Sequence, residues 1–293
     1  MKVGFIGVGN MGGPMCRNII RNTNHDVLVF DLNPDAIAAC TKLGATAGTS
    51  VAQVAGSCDV VFTSLPMPRN VEEVATAIAA AAKPGLVYID LSTNAPTTAQ
   101  KVNEQMRAKG IAMLEAPVSG GVSRATDGTI VIMVGGDEAV FEAQLPLLKS
   151  FSGEVVHVGR IGMGSVAKLC NNMLAFCNAA AAAEALMLGA MAGIDLRKLQ
   201  QVISNASGNS SAFRNLTDKA FKGEFKATFA LDLAHKDLRL ALEMADGLGV
   251  PGMIAPQVMN LMRIARARGM GKDDSSSVIR VYEQALGREV RTP

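Results

Sequence analysis

Short apolar runs alternate with longer segments of helical period through the first half of the chain, and the alternation stops near residue 162. The runs at residues 2–6, 27–30, 60–63, 87–90 and 111–114 are rich in β-branched residues and bounded by turn formers, as buried strands are. Segments 12–21, 34–43, 70–82 and 96–109 lie between them and read as helices. Such alternation implies right-handed crossovers and a mostly parallel, doubly wound sheet with helices on both faces. A strand at 129–134, a helix from 138 to about 150 and a strand at 155–157 extend the same sheet. Past Gly162-Met163-Gly164 the strand-like runs disappear, and Ala, Leu and Met recur at helical spacing near 165–192, 195–205, 229–248, 255–268 and 275–286. Asp195 and Asp274 stand where helix caps belong. The expected organisation is an α/β dinucleotide-binding domain over 1–162 followed by an all-helical domain over 163–293.

The first strand leads directly into Gly7-Val8-Gly9-Asn10-Met11-Gly12. In a strand–turn–helix unit the first glycine makes a tight turn, the second lets backbone approach a pyrophosphate, and the third lets helix and sheet pack closely. The helix N-terminus then offers N–H groups and a partial positive charge to the phosphates. The second strand ends in Asp31, about 20 residues on, where a carboxylate holds ribose hydroxyls and repels a 2′-phosphate. No arginine follows closely, so NAD is expected over NADP. Ligands of such sheets sit beyond the carboxyl ends of the strands, which brings in the loops at 64–70 and 91–94. Leu65 and Pro66 are candidates for the ribose–nicotinamide half, and Asn70 and Thr93 for polar contacts, although each alone also suits a turn or cap.

Composition narrows the class. The 293 residues are 49% hydrophobic, enough for two cores, and a net charge of +2 gives no field for nucleic acid. Five scattered cysteines read as reduced core residues of a cytoplasmic protein, and the three histidines lack ligand spacing, so no metal site is expected. The opening strand leaves no room for a targeting segment. Residues 166–192 are long and apolar, but Lys168, Asn171, Asn172, Asn178 and Glu184 interrupt them, which suits a buried helix of a soluble protein better than a membrane span.

Three elements carry candidate chemistry. Lys168 lies early in the long helix with Asn172 four residues on, on the same face. An ammonium beside an amide at the junction of two domains suits acid–base work, and the same spacing suits a lysine that snorkels from a core helix. Glu115-Ala116-Pro117-Val118-Ser119-Gly120-Gly121 follows a strand, and Ser119, Gly120 and Gly121 offer a hydroxyl and N–H groups as a nest for a carboxylate, or merely a turn. His235-Lys236-Asp237 reads on spacing as a solvated helix face.

Four motifs in order resemble those of the β-hydroxyacid dehydrogenase family, most closely its 3-hydroxyisobutyrate branch. They are Gly4-Phe5-Ile6-Gly7-Val8-Gly9-Asn10-Met11-Gly12-Gly13-Pro14-Met15, Ala116-Pro117-Val118-Ser119-Gly120-Gly121, Gly162-x-Gly164-x-x-x-Lys168-x-x-Asn171-Asn172 and Lys236-Asp237-Leu238. The resemblance spans nearly the whole chain. It implies a Rossmann domain, a helical second domain and a homo-oligomer. It implies Lys168 as the catalytic lysine, Ser119, Gly120, Gly121 and Asn172 as substrate contacts, and Lys236 near the nicotinamide, with Leu65, Pro66, Asn70 and Thr93 lining the cofactor. The substrate implied is a short 3-hydroxy acid, oxidised by hydride transfer to NAD while Lys168 handles the hydroxyl proton. A free lysine titrates near ~10.4, so base action near neutrality calls for burial or a positive neighbour. Two departures stand out. Glu115 replaces the family's usual aspartate, with little consequence expected, and the segment 206–213 lacks the tryptophan common in the hydroxyisobutyrate branch. Tartronate semialdehyde reductases share the scaffold, and Ala125-Thr126-Asp127-Gly128-Thr129 is similar to theirs. A dinucleotide-binding sensor without catalysis is the alternative from another class.

Overall fold

The computed structural model describes residues 1–292, in two compact units, Met1–Lys168 and one that begins at Leu169. The first unit opens with β1 (Lys2–Ile6), α1 (Gly12–Asn22), β2 (Asp26–Phe30), α2 (Pro34–Thr41), β3 (Thr46–Ala47) and α3 (Val51–Ser57). It continues with β4 (Val60–Thr63), α4 (Pro68–Ala81), β5 (Val87–Asp90), α5 (Pro96–Arg107) and β6 (Ala112–Glu115). After β6 come β7 (Val118–Ser119), α6 (Gly121–Thr126), β8 (Ile130–Gly136), α7 (Glu138–Lys149) and β9 (Ser152–Gly159). The strand order is β3-β2-β1-β4-β5-β6-β8-β7, with β9 on the other edge of β8. Strands β1 to β6 run parallel, β8 runs antiparallel to both β6 and β7, and β9 runs parallel to β8. The order reverses between β1 and β4, the switch point where such sheets hold ligands.

Alternate side chains feed two cores, one on each face of the sheet. Val3, Phe5 and Phe62 join Met15, Ile19 and Phe141 on one side. Ile6, Val61 and Tyr88 join Val54, Val71 and Val102 on the other. The register aligns Ile6 with Thr63, Thr63 with Asp90 and Asp90 with Glu115, so a polar row closes the carboxyl ends of β4, β5 and β6.

Strand and helix boundaries differ from the periodicity for local reasons. Ile111 donates its N–H to Met106 O at 3.0 Å and finishes the turn after α5, so β6 starts at Ala112 and takes in Glu115. Helix α4 starts at Pro68 because proline is preset for a first helical turn. Helix α3 has only seven residues and little apolar period; Ser50 caps it by accepting the Gln53 N–H at 3.1 Å.

A 30-residue helix, α8 (Met163–Ala192), leads into the second unit. That unit adds α9 (Leu196–Ser204), α10 (Ser211–Lys222), α11 (Leu231–Gly247), α12 (Ala255–Ala267), 3-10 turns at Met270–Lys272 and Ser275–Val278, and α13 (Ile279–Leu286). Helix α10 falls between the expected helices at 195–205 and 229–248, where periodicity placed none. It hides behind a Ser- and Asn-rich stretch, whose Ser210 hydroxyl accepts the Phe213 N–H at 3.0 Å and starts the helix. Asp195 and Asp274 cap their elements as expected. Helix α8 is long and apolar enough to cross a membrane by length and composition, and 44% of its apolar window is buried in the protein. Phe176, Ala183, Leu186 and Met187 pack into the unit's cores, while Leu174, Leu188 and Met191 are exposed, so the helix is covered on one side and not wholly buried. The cysteine expectation also needs correction. Cys16, Cys40 and Cys58 are buried, but Cys177 is half-buried and Cys170 exposed, because Cys170 lies a third of a turn from the core-facing Leu169.

Candidate active site

The loop after β1 has the form a dinucleotide needs. Gly7 turns with φ +87° and donates its N–H to Phe30 O at 2.9 Å. A Cβ on Gly12 would lie 1.9 Å from Gly7 O, so only glycine permits this approach of helix to turn. A Cβ on Gly9 would meet nothing within 4 Å, and Gly9 and Asn10 are exposed. Open space over an N-terminal turn, with N–H groups facing it, fits a diphosphate. Asp31 sits at the end of β2, its Oδ2 accepting the Val8 N–H and its Oδ1 the Asn33 N–H, each at 2.8 Å. The carboxylate therefore also ties the glycine loop to the end of β2, a function not visible in the sequence.

The next two loops rest on a buried network. Asp90 Oδ1 accepts from the Thr63 hydroxyl at 2.7 Å and from the Ser92 hydroxyl at 2.6 Å, and Asp90 Oδ2 accepts from the Asn94 amide at 2.8 Å. Ser92 Oγ in turn accepts the Leu65 N–H at 2.9 Å, linking the loops that carry Leu65, Pro66 and Thr93. Tyr88 lies 2.9 Å from Thr63 Oγ1, and burial pushes its hydroxyl well above the usual tyrosine range. Asn70 sits in the first turn of α4, its N–H on Met67 O at 3.0 Å. Sequence reasoning missed Asp90 as an organiser; a carboxylate ending an otherwise apolar strand was the available signal.

The expected nest resolves into finer structure. Ser119 ends β7, Gly120 precedes α6 with φ +137°, and Gly121 opens α6 with φ +68°. The buried Asn18 amide of α1 donates to Ala125 O at 2.9 Å and Thr126 O at 3.3 Å, so the helix after the glycine loop holds the far end of α6.

Glu115, which sequence spacing leaves without a role, is an organiser of the second half of this unit. It is 2% exposed, and its carboxylate gathers the start of α8. Oε1 accepts the N–H of Gly162 in a short contact and that of Gly164 at 3.0 Å; Oε2 accepts the Ser165 N–H at 3.3 Å and the Ser165 hydroxyl at 2.5 Å. Burial pushes its carboxyl above the usual range, against the pull of these bonds. Lys168 follows Ser165 by three residues and is 8% exposed.

In the second unit, Asn172 donates its amide to Asp237 Oδ2 at 2.8 Å, and Lys236 Nζ lies 3.0 Å from Asp237 Oδ1. All three are buried, Lys236 at 6% and Asp237 at 2% exposed, which overturns the solvated-face reading. That reading failed because α11 is covered on more than one side: Leu231, Ala234 and Leu238 pack into a core, and Leu240, on the Lys236 side, is buried as well. The structure thus gathers Asn172 and Lys236 on one carboxylate that sequence reasoning had set aside.

Comparison with known proteins bears on the same residues. Residues 2–159 match the profile described as the NAD binding domain of 6-phosphogluconate dehydrogenase. Residues 162–282 match that of the NAD-binding of NADP-dependent 3-hydroxyisobutyrate dehydrogenase. The chain is 40% identical to 2-(hydroxymethyl)glutarate dehydrogenase of Eubacterium barkeri, over 99% of this chain and 97% of that one. It is 37% identical to 3-hydroxyisobutyrate dehydrogenase of Pseudomonas aeruginosa, over 94% and 96%. Among solved structures, Mycobacterium tuberculosis 3-hydroxyisobutyrate dehydrogenase with L-serine superposes with a TM-score of 0.88 at 33% identity, covering 96% of this chain and 98% of that one. With an NAD(P)-binding sheet, a helical second unit and these relatives over its whole length, the chain belongs to the β-hydroxyacid dehydrogenase family and is an NAD-dependent 3-hydroxyacid dehydrogenase in type.

Proposed function

We propose that the protein oxidises the primary alcohol of 3-hydroxyisobutyrate to methylmalonate semialdehyde with NAD, a reaction of valine breakdown. The observation that carries this reading is Lys168, buried just after a helix start that a buried carboxylate holds in place. A lysine so held takes the hydroxyl proton as the alcohol is oxidised and returns it in the reverse direction. The nicotinamide, when bound, supplies the hydride chemistry. Ser119, Gly120, Gly121 and Asn172 are assigned to the substrate carboxylate. The Gly7–Gly12 loop and Asp31 are assigned to the dinucleotide, together with Leu65, Pro66, Asn70, Thr93 and Lys236. Asp31 favours NAD, since a 2′-phosphate beside a carboxylate is repelled. The protein is further assigned to the cytoplasm as a homo-oligomer; its three buried cysteines without a disulfide suit a reducing compartment, which fractionation of the native host checks.

A second reading has a specific observation behind it, the 40% identity to 2-(hydroxymethyl)glutarate dehydrogenase. The two substrates share one core, HOCH2–CH(R)–COO⁻, with R a methyl in one and a carboxyethyl in the other. L-Serine, named for a third relative at 32% identity, has an ammonium as R. The deciding experiment is the initial rate of NADH formation with these three acids and with glycerate at equal concentration. The fastest turnover is expected with 3-hydroxyisobutyrate. A preference for 2-(hydroxymethyl)glutarate replaces the substrate and keeps the chemistry, and a preference for glycerate points to tartronate semialdehyde reduction. Lys168→Ala is expected to lower kcat at least ~10²-fold, and a nearly active variant would end the lysine assignment.

A further inference from the structure

Glu115 lies in a socket that only glycines can line. A Cβ on Gly135 would come 2.5 Å from Glu115 Oε1, and one on Gly164 would come 2.7 Å from Met133 O and 3.3 Å from Glu115 Cδ. Gly162 adopts φ +98°, a backbone region that favours glycine. Into this socket the carboxylate draws three N–H groups and one hydroxyl from residues 162–165. The first N–H groups of a helix have no partner within it, and a negative charge there opposes the helix dipole favourably. Three of its partners are backbone N–H groups, which can only donate, and the Ser165 hydroxyl also donates to it, an arrangement that suits the carboxylate. Ser165, bonded through both its N–H and its hydroxyl, stands three residues before Lys168, so the two share a helix face.

We infer that Glu115 is a positioning residue for Lys168: it anchors the start of α8 so that the ammonium stem leaves the helix at a fixed place. Gly135 and Gly164 make room for this anchor, and the positive φ of Gly162 turns its N–H onto the carboxylate. The inference rests on Lys168 being the acid–base group. It predicts coupling between two residues whose side chains act through one stretch of backbone. A misplacement of about 1 Å at a reacting group is enough to lower a rate ~10²-fold.

The test is a double-mutant cycle in the full chain. Glu115→Gln keeps the shape but turns an amide N–H₂ toward donors. It is expected to lower kcat ~10- to 100-fold, with the Kd for NADH, read by fluorescence, changed less than ~2-fold. Glu115→Asp keeps the charge and is expected to recover most of that loss. In a Lys168→Ala background, Glu115→Gln is expected to change the residual rate by less than ~2-fold. Amide hydrogen exchange at Gly164 and Ser165 is expected to speed up in Glu115→Gln irrespective of residue 168. Equal losses in both backgrounds would overturn the inference and leave Glu115 a plain structural cap, as would a Glu115→Gln enzyme of full activity. A fully active Lys168→Ala enzyme would instead remove the lysine reading, and the inference with it. If Glu115→Gln fails to fold, Ser165→Ala removes one hydroxyl from the same carboxylate. A ~3- to 10-fold loss of kcat confined to the Lys168 background then supports the inference, and an equal loss in both backgrounds overturns it.

Discussion

Asp31 follows the last residue of β2, where a carboxylate is expected to hold the ribose hydroxyls of a dinucleotide. The structure adds that its two oxygens already accept from Val8 and Asn33, so it also holds the glycine loop. Asp31→Asn presents an amide to one of those N–H groups and removes the charge that opposes a 2′-phosphate. The expected outcome is a ~10-fold higher KM for NAD and a smaller NAD-to-NADP ratio of kcat/KM, on the scale of losing a charge-assisted hydrogen bond. Steady-state kinetics with both dinucleotides checks this, and an unchanged ratio would remove Asp31 from cofactor choice. Glu115, Asp90 and Asp237 teach the complementary lesson at the same scale. Each is a carboxylate buried at 2% exposure, and what each organises depends on donors far along the chain. Glu115 reaches residues 47 to 50 positions away and Asp237 a residue 65 away, separations over which sequence spacing carries no geometry.

Among elements, local signals were most legible where one interaction dominates. Strands β4 and β5 match their expected bounds, because a short, mostly buried run of apolar and β-branched positions has few alternatives. Two elements that start from serine hydroxyls escaped notice: α3, which is short, and α10, whose buried Phe213, Leu216, Ala220 and Phe221 do recur at helical spacing behind a Ser- and Asn-rich start. Asp274 is a cap of larger reach. Its carboxylate accepts from Thr228 N–H at 2.9 Å, from Thr228 Oγ1 at 2.8 Å and from Ser276 Oγ at 2.8 Å, and it pairs with Lys219 of α10. Burial alone would raise its pKa; the Lys219 ammonium and these donors outweigh burial and hold it at about 2. A folded-state pKa below the unfolded value of 3.8 contributes stability above pH 4 that is lost as pH falls through 2. The shift corresponds to about 2 kcal/mol. Wild-type unfolding free energy is therefore expected to fall more steeply than that of Asp274→Asn between about pH 4 and 2, with the variant less stable at pH 7. Denaturant melts across that window check it, and parallel curves would show that Asp274 is not the group titrating.

Over the molecule as a whole, apolar surface is unevenly distributed. Leu174, Leu188, Met191, Val202, Leu248, Met253 and Ile254, all in the second unit, are more than half exposed. Three of them, Leu174, Leu188 and Met191, lie on α8, and exposed apolar surface that is contiguous marks an interaction site. Light scattering on the purified protein is therefore expected to give a multiple of 30.5 kDa, and a monomer at working concentration would leave this surface without an oligomeric role.

The class of each half and the glycine loop of the dinucleotide-binding unit were legible in the sequence alone. These depend on interactions between residues a turn or a strand apart, where spacing is geometry. Tertiary structure alone decided that Glu115 anchors α8, that Asp90 couples two loops, and that Asn172 and Lys236 share Asp237. A buried carboxylate must find donors wherever the fold brings them, and which donors those are is settled only when distant segments pack.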